Sequence, residues 1–331
     1  CGLQSSFEII MNLLQFFYKL KYQIMYYILG SKALIDDWMQ RRSNRVDLYQ
    51  KSGEVAVITG GARGIGVEIV KKLLLCDMHV IIGCRNPEKG EQAVQKIRSF
   101  GVLTGTTSIY PLNLKSLTSV KQFAESVLEN HAQIHILINN AGIMFVPFEE
   151  TESGFESHFM ESYRLLSELV KLSFAANVVL EPLNILNLSL VLSFYSMQNF
   201  QTFLLREQYI PHAAYARSKL AQVMSTISLE AKMRERNSPV QVMAVHPGIV
   251  DTDLFDGTLL KTPEQGATGI VYAAIASSSE GEGGKYYSNC TIQPFDPIAC
   301  DVQAQDKLYQ FSMDSIKSFL PQLRKLSTRQ A

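Results

Sequence analysis

Short runs of β-branched and aliphatic residues alternate along the chain with longer stretches whose apolar positions recur every three or four residues. The runs are Val55–Ile58, Met78–Gly83, Ser108–Tyr110, Ile134–Ile138, Val240–Val245 and Lys285–Ser288. Charged amphipathic stretches separate the runs, with helices expected at about 214–235 and 263–276. Strand and helix in alternation predict a parallel sheet with right-handed crossovers, an α/β doubly wound fold of about seven strands with helices on both faces. Such a sheet takes its ligand at the carboxyl ends of its strands.

The N-terminus does not follow this pattern. Residues 7–30 crowd Phe16, Phe17, Tyr18, Tyr22, Tyr26, Tyr27, Ile28 and Leu29 together, but Glu8, Asn12, Gln15, Lys19, Lys21 and Gln23 interrupt them. A membrane-crossing helix needs about 20 predominantly apolar residues. The stretch fits an interfacial anchor or degenerate signal-anchor, with Arg41, Arg42 and Arg45 behind it, or an amphipathic helix packed on the domain. Residues 31–53 read as a polar connector. Residues 1–50 are thus an apolar anchor and connector, and 51–331 the α/β domain.

Composition narrows the partners. With 331 residues, 47% of them hydrophobic, the chain can bury a large core. Thirty-one basic residues balance thirty-one acidic ones, so no global charge draws it to nucleic acid. Five cysteines, none in a CxxC pair, argue against a disulfide framework and a zinc knuckle, and no metal is expected.

The first strand runs into Thr59-Gly60-Gly61-Ala62-Arg63-Gly64-Ile65-Gly66, and a helical pattern begins at Val67. Residues without Cβ let backbone N–H groups approach a pyrophosphate across the positive end of the helix dipole. The ligand implied is a dinucleotide. A site preferring NAD usually has Asp or Glu after the second strand, where this chain reads Gly83-Cys84-Arg85-Asn86. Arg85, joined by Arg63, would pair instead with a 2′-phosphate, which favours NADP(H) over NAD(H).

A second stretch, Tyr215-Ala216-Arg217-Ser218-Lys219, places a phenol and an ammonium four residues apart on one helical face. A neighbouring cation favours the phenolate, so this tyrosine could exchange a proton with an alcohol or a carbonyl.

These motifs occur in one order with two more, Asn139-Asn140-Ala141-Gly142 after the fourth strand and Pro247-Gly248 with Thr252 after the sixth. In that combination, from about 54 to 290, the chain resembles the short-chain dehydrogenase/reductase family, in its retinol-dehydrogenase-like branch. The resemblance implies a Rossmann-type fold, with Gly60, Gly64, Ile65 and Gly66 at the pyrophosphate. It puts Asn113 near the adenine, Asn140 and Gly142 on the adenosine side, and Pro247, Gly248, Ile249 and Thr252 at the nicotinamide. Tyr215 would be the acid/base, and Lys219 would bind the nicotinamide ribose. The implied activity interconverts an apolar alcohol and its carbonyl, an isoprenoid, retinoid or similar lipid, at the membrane of the endoplasmic reticulum or a lipid droplet. The membrane contact falls to residues 7–30.

Residues 161–205 depart from the family. Ser162 stands where the family has a relay Asn. The serine that polarises the substrate oxygen reads as Ser189, one position early, with Ser193 as the fallback. Because side chains alternate across a strand, that offset aims Ser189 at the opposite face unless the strand end twists. The departure leaves a second reading, a cofactor-binding protein with little or no turnover.

Overall fold

The computed structural model describes residues 2–152, 154–161, 184–188, 209–251, 260–276 and 283–316. Its centre is an eight-stranded sheet of β1 (Val55–Thr59), β2 (His79–Cys84), β3 (Thr106–Pro111), β4 (Ile136–Asn139), β5 (Asn184–Leu188), β6 (Gln241–His246), β7 (Tyr286–Ser288) and β8 (Thr291–Gln293). The spatial order is β3-β2-β1-β4-β5-β6-β7-β8. Neighbours pair in parallel up to β7, and β8 returns antiparallel to it. The order reverses direction between β1 and β4, so the crevice for a ligand opens above these two strands.

The central strands β1, β2 and β4 each feed two layers, which is why their sequences are apolar at successive positions. In β1, Ala56 and Ile58 join the core on one face, while Val57 joins the core on the other. β2 and β4 repeat this, with Ile81 and Leu137 opposite Val80, Ile82, Ile136 and Ile138. Against the first face lie α2 (Ile65–Leu75), through Ile69, Val70, Leu73 and Leu74, and α7 (Pro263–Ile275), through Ala267, Ile270 and Val271. Against the second lies α4 (Leu117–Asn130), through Val120, Phe123 and Val127, together with Met233 from the end of α6 (Pro211–Glu235). Burying a large aliphatic or aromatic side chain contributes roughly 1.5–3 kcal/mol, so these two layers carry most of the stability.

The remaining helices are α3 (Pro87–Ser99), the single turn α5 (Ser157–Phe159) and α8 (Val302–Ile316). Local chemistry sets several helix starts. Asn86 caps α3 by accepting the Lys89 N–H at 3.2 Å, and Thr262 with Gln265 closes a reciprocal capping box on α7.

At the N-terminus α1 runs over Gly2–Gln40. The polar connector expected over 31–53 therefore begins only after Gln40. Ser31–Gln40 stays helical because it carries Ala33, Leu34 and Met39, good helix formers, and because Asp37 is buried against the domain. Among the described residues no helix is long and apolar enough to cross a membrane. Cys76, Cys84 and Cys290 are buried free thiols, and burial pushes Cys76 and Cys290 up to about 11.

Candidate functional site

The turn after β1 is built by close backbone contact. A Cβ on Gly66 would overlap the Gly60 carbonyl oxygen, so the first turn of α2 can press onto the end of β1 only with glycine there. Asn140, after β4, ties the same turn down, its Nδ2 donating to the Thr59 carbonyl at 2.9 Å and the Gly60 carbonyl at 3.1 Å. Thr59 answers by accepting the Ala141 N–H on Oγ1 at 3.1 Å. Asn140 thus holds the two loops that flank the crevice together. Gly64, the N-cap of α2, offers no side-chain acceptor, which leaves the first N–H groups of that helix facing outward.

These loops open on a cavity of about 490 Å³ at the carboxyl end of the sheet. Gly60, Arg63, Gly64, Ile65, Gly66, Arg85, Asn140, Gly142, Tyr215, Lys219, Pro247 and Gly248 all line it. Residues from four separate loops and two helices therefore meet in one place. Asn113 and Ile249 are not among the wall residues. The Asn113 side chain accepts the Lys115 N–H at 3.2 Å, part of the turn that starts α4, and the Ile249 N–H donates to Asp37 at 3.0 Å. Ser162, Ser189, Ser193 and Thr252 lie outside the described residues.

Tyr215 and Lys219 share one face of α6, with Lys219 Nζ 5.7 Å from the centre of the Tyr215 ring. Lys219 is buried and donates to Gln222 Oε1 at 3.0 Å. Burial pushes its ammonium down to about 8. A second network stands behind Tyr215. Glu156 Oε1 meets His158 Nδ1 at 2.7 Å, and its two oxygens accept the N–H groups of His158 and Phe159 that open α5. Burial raises the Glu156 carboxyl, but the His158 ring and these amides outweigh it and hold the group below its ordinary value. Tyr209 donates to this carboxylate at 3.1 Å and lies 2.9 Å from the Val146 carbonyl. Burial and the Glu156 charge raise the Tyr209 phenol far above its usual value, so Tyr209 is a structural clamp rather than a base.

Phe145 packs beside Tyr215. Its ring meets Tyr215 edge-on at 5.6 Å and stacks on His212 at 4.1 Å, and its backbone has φ +57, in the left-handed region that a bulky side chain rarely occupies. Backbone strain of this kind clusters at ligand sites.

The fit to a dinucleotide rests on these observations. The glycine turn leaves room and N–H donors for a pyrophosphate, and Arg63, Arg85 and Lys89 line the same cavity. Lys89 lies one helical turn past Arg85, a spacing that could have exposed it in the sequence. Glu161 also lines the cavity, and burial raises its carboxyl against the opposing pull of Arg85 and Lys115. Gln222, three residues beyond Lys219 on the same helical face, was legible by the same spacing.

A family model described as short chain dehydrogenase matches residues 54–163. Polyprenol dehydrogenase of Danio rerio is 36% identical over 309 residues, an overlap covering 87% of this chain and 94% of that protein. Retinol dehydrogenase 12 of Homo sapiens is 33% identical over 285 residues, covering 80% of this chain and 87% of that one. Among solved structures, that of an uncharacterized protein from Mycobacterium Paratuberculosis has a TM-score of 0.66 at 28% identity, covering 82% of this chain and 96% of its own.

Proposed function

Because this chain belongs to the short-chain dehydrogenase/reductase family, we propose that it interconverts an apolar alcohol and its carbonyl compound with NADP(H), using Tyr215 as the acid/base. The observation that carries this reading is the meeting of Tyr215 and Lys219 with the glycine turn on the wall of one cavity. A phenol remote from that turn would have nothing to act on.

The dinucleotide, when bound, supplies or accepts the hydride. Everything else falls to this chain. The free N–H groups at the start of α2, beside Gly64 and Gly66, hold the pyrophosphate. Arg63 and Arg85 pair with the 2′-phosphate, which is the basis for NADP(H) over NAD(H). Pro247, Gly248 and Thr252 fix the nicotinamide end, while the Ile249 amide and carbonyl are taken by Asp37 and by the Lys261 N–H. Tyr215 hands its hydroxyl proton to the carbonyl oxygen during reduction and takes it back from the alcohol during oxidation. Lys219 favours the phenolate of Tyr215 by its charge and, with a pKa of about 8, is still mostly protonated at neutral pH. Ser189, or failing it Ser193, polarises the substrate oxygen.

An apolar substrate fits the names of the relatives, one acting on polyprenol and one on retinol. It also fits α1, where Leu13, Phe16, Phe17, Leu20, Ile24, Tyr27 and Ile28 are all exposed. At 100° per residue these seven fall within an arc of about 120°, an apolar stripe suited to lie in a lipid surface. Lys21 and Gln23 flank the stripe, and Arg41, Arg42 and Arg45 follow the helix. A membrane of the endoplasmic reticulum or of a lipid droplet is the setting this suggests. The dehydrogenases among the relatives speak against a binder without turnover.

The test is NADPH consumption by the purified protein over a panel of long-chain aldehydes, with Tyr215→Phe beside the wild type. Consumption lost in Tyr215→Phe while NADPH still binds is the result expected. Consumption that survives the substitution undiminished would overturn the role of Tyr215.

A further inference from the structure

A buried ion pair grips the Pro247–Ile249 loop from outside the cavity. Asp37 on α1 is 7% exposed, and Lys261, one residue before the N-cap of α7, is 8% exposed. Asp37 Oδ1 lies 2.9 Å from Lys261 Nζ and accepts from Asn289 Nδ2 at 3.1 Å. Its other oxygen, Oδ2, accepts the backbone N–H of Ile249 at 3.0 Å. Lys261 Nζ in turn donates to the Pro247 carbonyl at 3.2 Å. The backbone on both sides of Gly248 is therefore held by charged side chains.

Gly248 records how tightly. Its φ is +91, and a Cβ there would overlap Lys261 Nζ and come within 2.6 Å of Asp37 Oδ2. The pair fills the side of the loop where a side chain would go. Pro247 and Gly248 line the cavity, whereas Asp37 and Lys261 do not. Burial raises the Asp37 carboxyl, but Lys261, His246 and the Ile249 amide outweigh it and hold the group ionised below its ordinary value.

An apolar contact of the same volume would often stabilise the fold as well as a buried ion pair, because desolvation offsets much of the Coulomb attraction. What it lacks is direction. A carboxylate on one amide and an ammonium on the adjoining carbonyl fix the loop in rotation as well as position. We infer that Asp37 is a positioning residue that sets the nicotinamide half of the cofactor site from the N-terminal helix. This rests on the reading of the cavity as an NADP(H) site.

The assignment separates the two halves of the cofactor, so the experiment does too. NADPH and adenosine 2′,5′-bisphosphate, which lacks the nicotinamide half, are titrated by calorimetry into wild type and into Asp37→Asn. Losing one charge-assisted grip raises the NADPH dissociation constant by about tenfold or more, while that of the bisphosphate stays within about twofold. The double variant Asp37→Leu with Lys261→Met leaves no charge unpaired, and it carries the same expectation if Asp37→Asn fails to fold by circular dichroism. Equal weakening for both ligands, or none for either, overturns the assignment and leaves the functional reading standing. A wild type that binds neither ligand overturns the functional reading, and this inference with it.

Discussion

Lys219 Nζ lies 5.7 Å from the centre of the Tyr215 ring, and the same ammonium donates to Gln222 at 3.0 Å. The charge beside the phenol is thus itself pinned, one turn further along α6. A pinned ammonium keeps its distance from the phenol, which a solvated lysine on the same face would not.

The depressed pKa of that ammonium makes stability depend on pH. It stands near 8 in the fold, against about 10.4 in an unfolded chain. Below pH 8 both states are charged, and the folded state bears the full penalty of burying the ion. Between about 8 and 10.4 the folded lysine has lost its proton while the unfolded chain keeps it, so stability rises with pH through that window. Lys219→Met removes the penalty at every pH. Without cofactor, its melting temperature should exceed that of wild type at pH 7, and the gap should narrow by pH 10. A gap that does not change with pH would contradict the burial.

Arg85→Asp should turn cofactor preference toward NADH. Removing one charge-assisted bond to a phosphate, and adding an acceptor for the ribose diol, shifts the ratio of kcat/KM for NADPH over NADH by about 10- to 100-fold. A ratio that stays where it was would take Arg85 away from the 2′ position.

Gly66→Ala should both loosen the fold and weaken the cofactor. The added Cβ overlaps the Gly60 carbonyl oxygen, so β1 and α2 must part. Overpacking of this kind costs about 1–3 kcal/mol. Denaturant unfolding and NADPH titration should show both losses together, and a variant as stable as wild type would show that the turn has slack.

Replacing Phe16 and Phe17 by glutamate puts two charges on the exposed stripe of α1. Co-sedimentation with phosphatidylcholine vesicles should fall by more than about tenfold, since each phenylalanine brings roughly 1.5–3 kcal/mol of burial to an apolar surface. Undiminished co-sedimentation would remove the stripe from membrane binding.

What the sequence disclosed of this molecule follows the reach of its interactions. The glycine turn and the Tyr215/Lys219 pair are local, set by backbone geometry and by helical spacing, and both stand where the spacing puts them. β1, β2 and β4 were readable because each is apolar on two faces. β8 was not, since Thr291-Ile292-Gln293 is three residues with no long apolar run. The end of α1 was misread because Asp37 looks like a surface acid until Lys261, Ile249 and Asn289, more than 200 positions away, close around it. No pattern of hydrophobicity encodes such a contact. Asn113 was placed by its position in a motif, whereas its side chain is spent on the turn before α4.

Phe145 brings two demands into opposition at one position. Its left-handed backbone would be relaxed by glycine, yet that change would also remove the ring resting on the edge of Tyr215. Directed evolution for heat tolerance would be drawn to that site, and would strip the packing from Tyr215 as it succeeded. Sturdier descendants of this protein would then be the ones whose phenol is less firmly held.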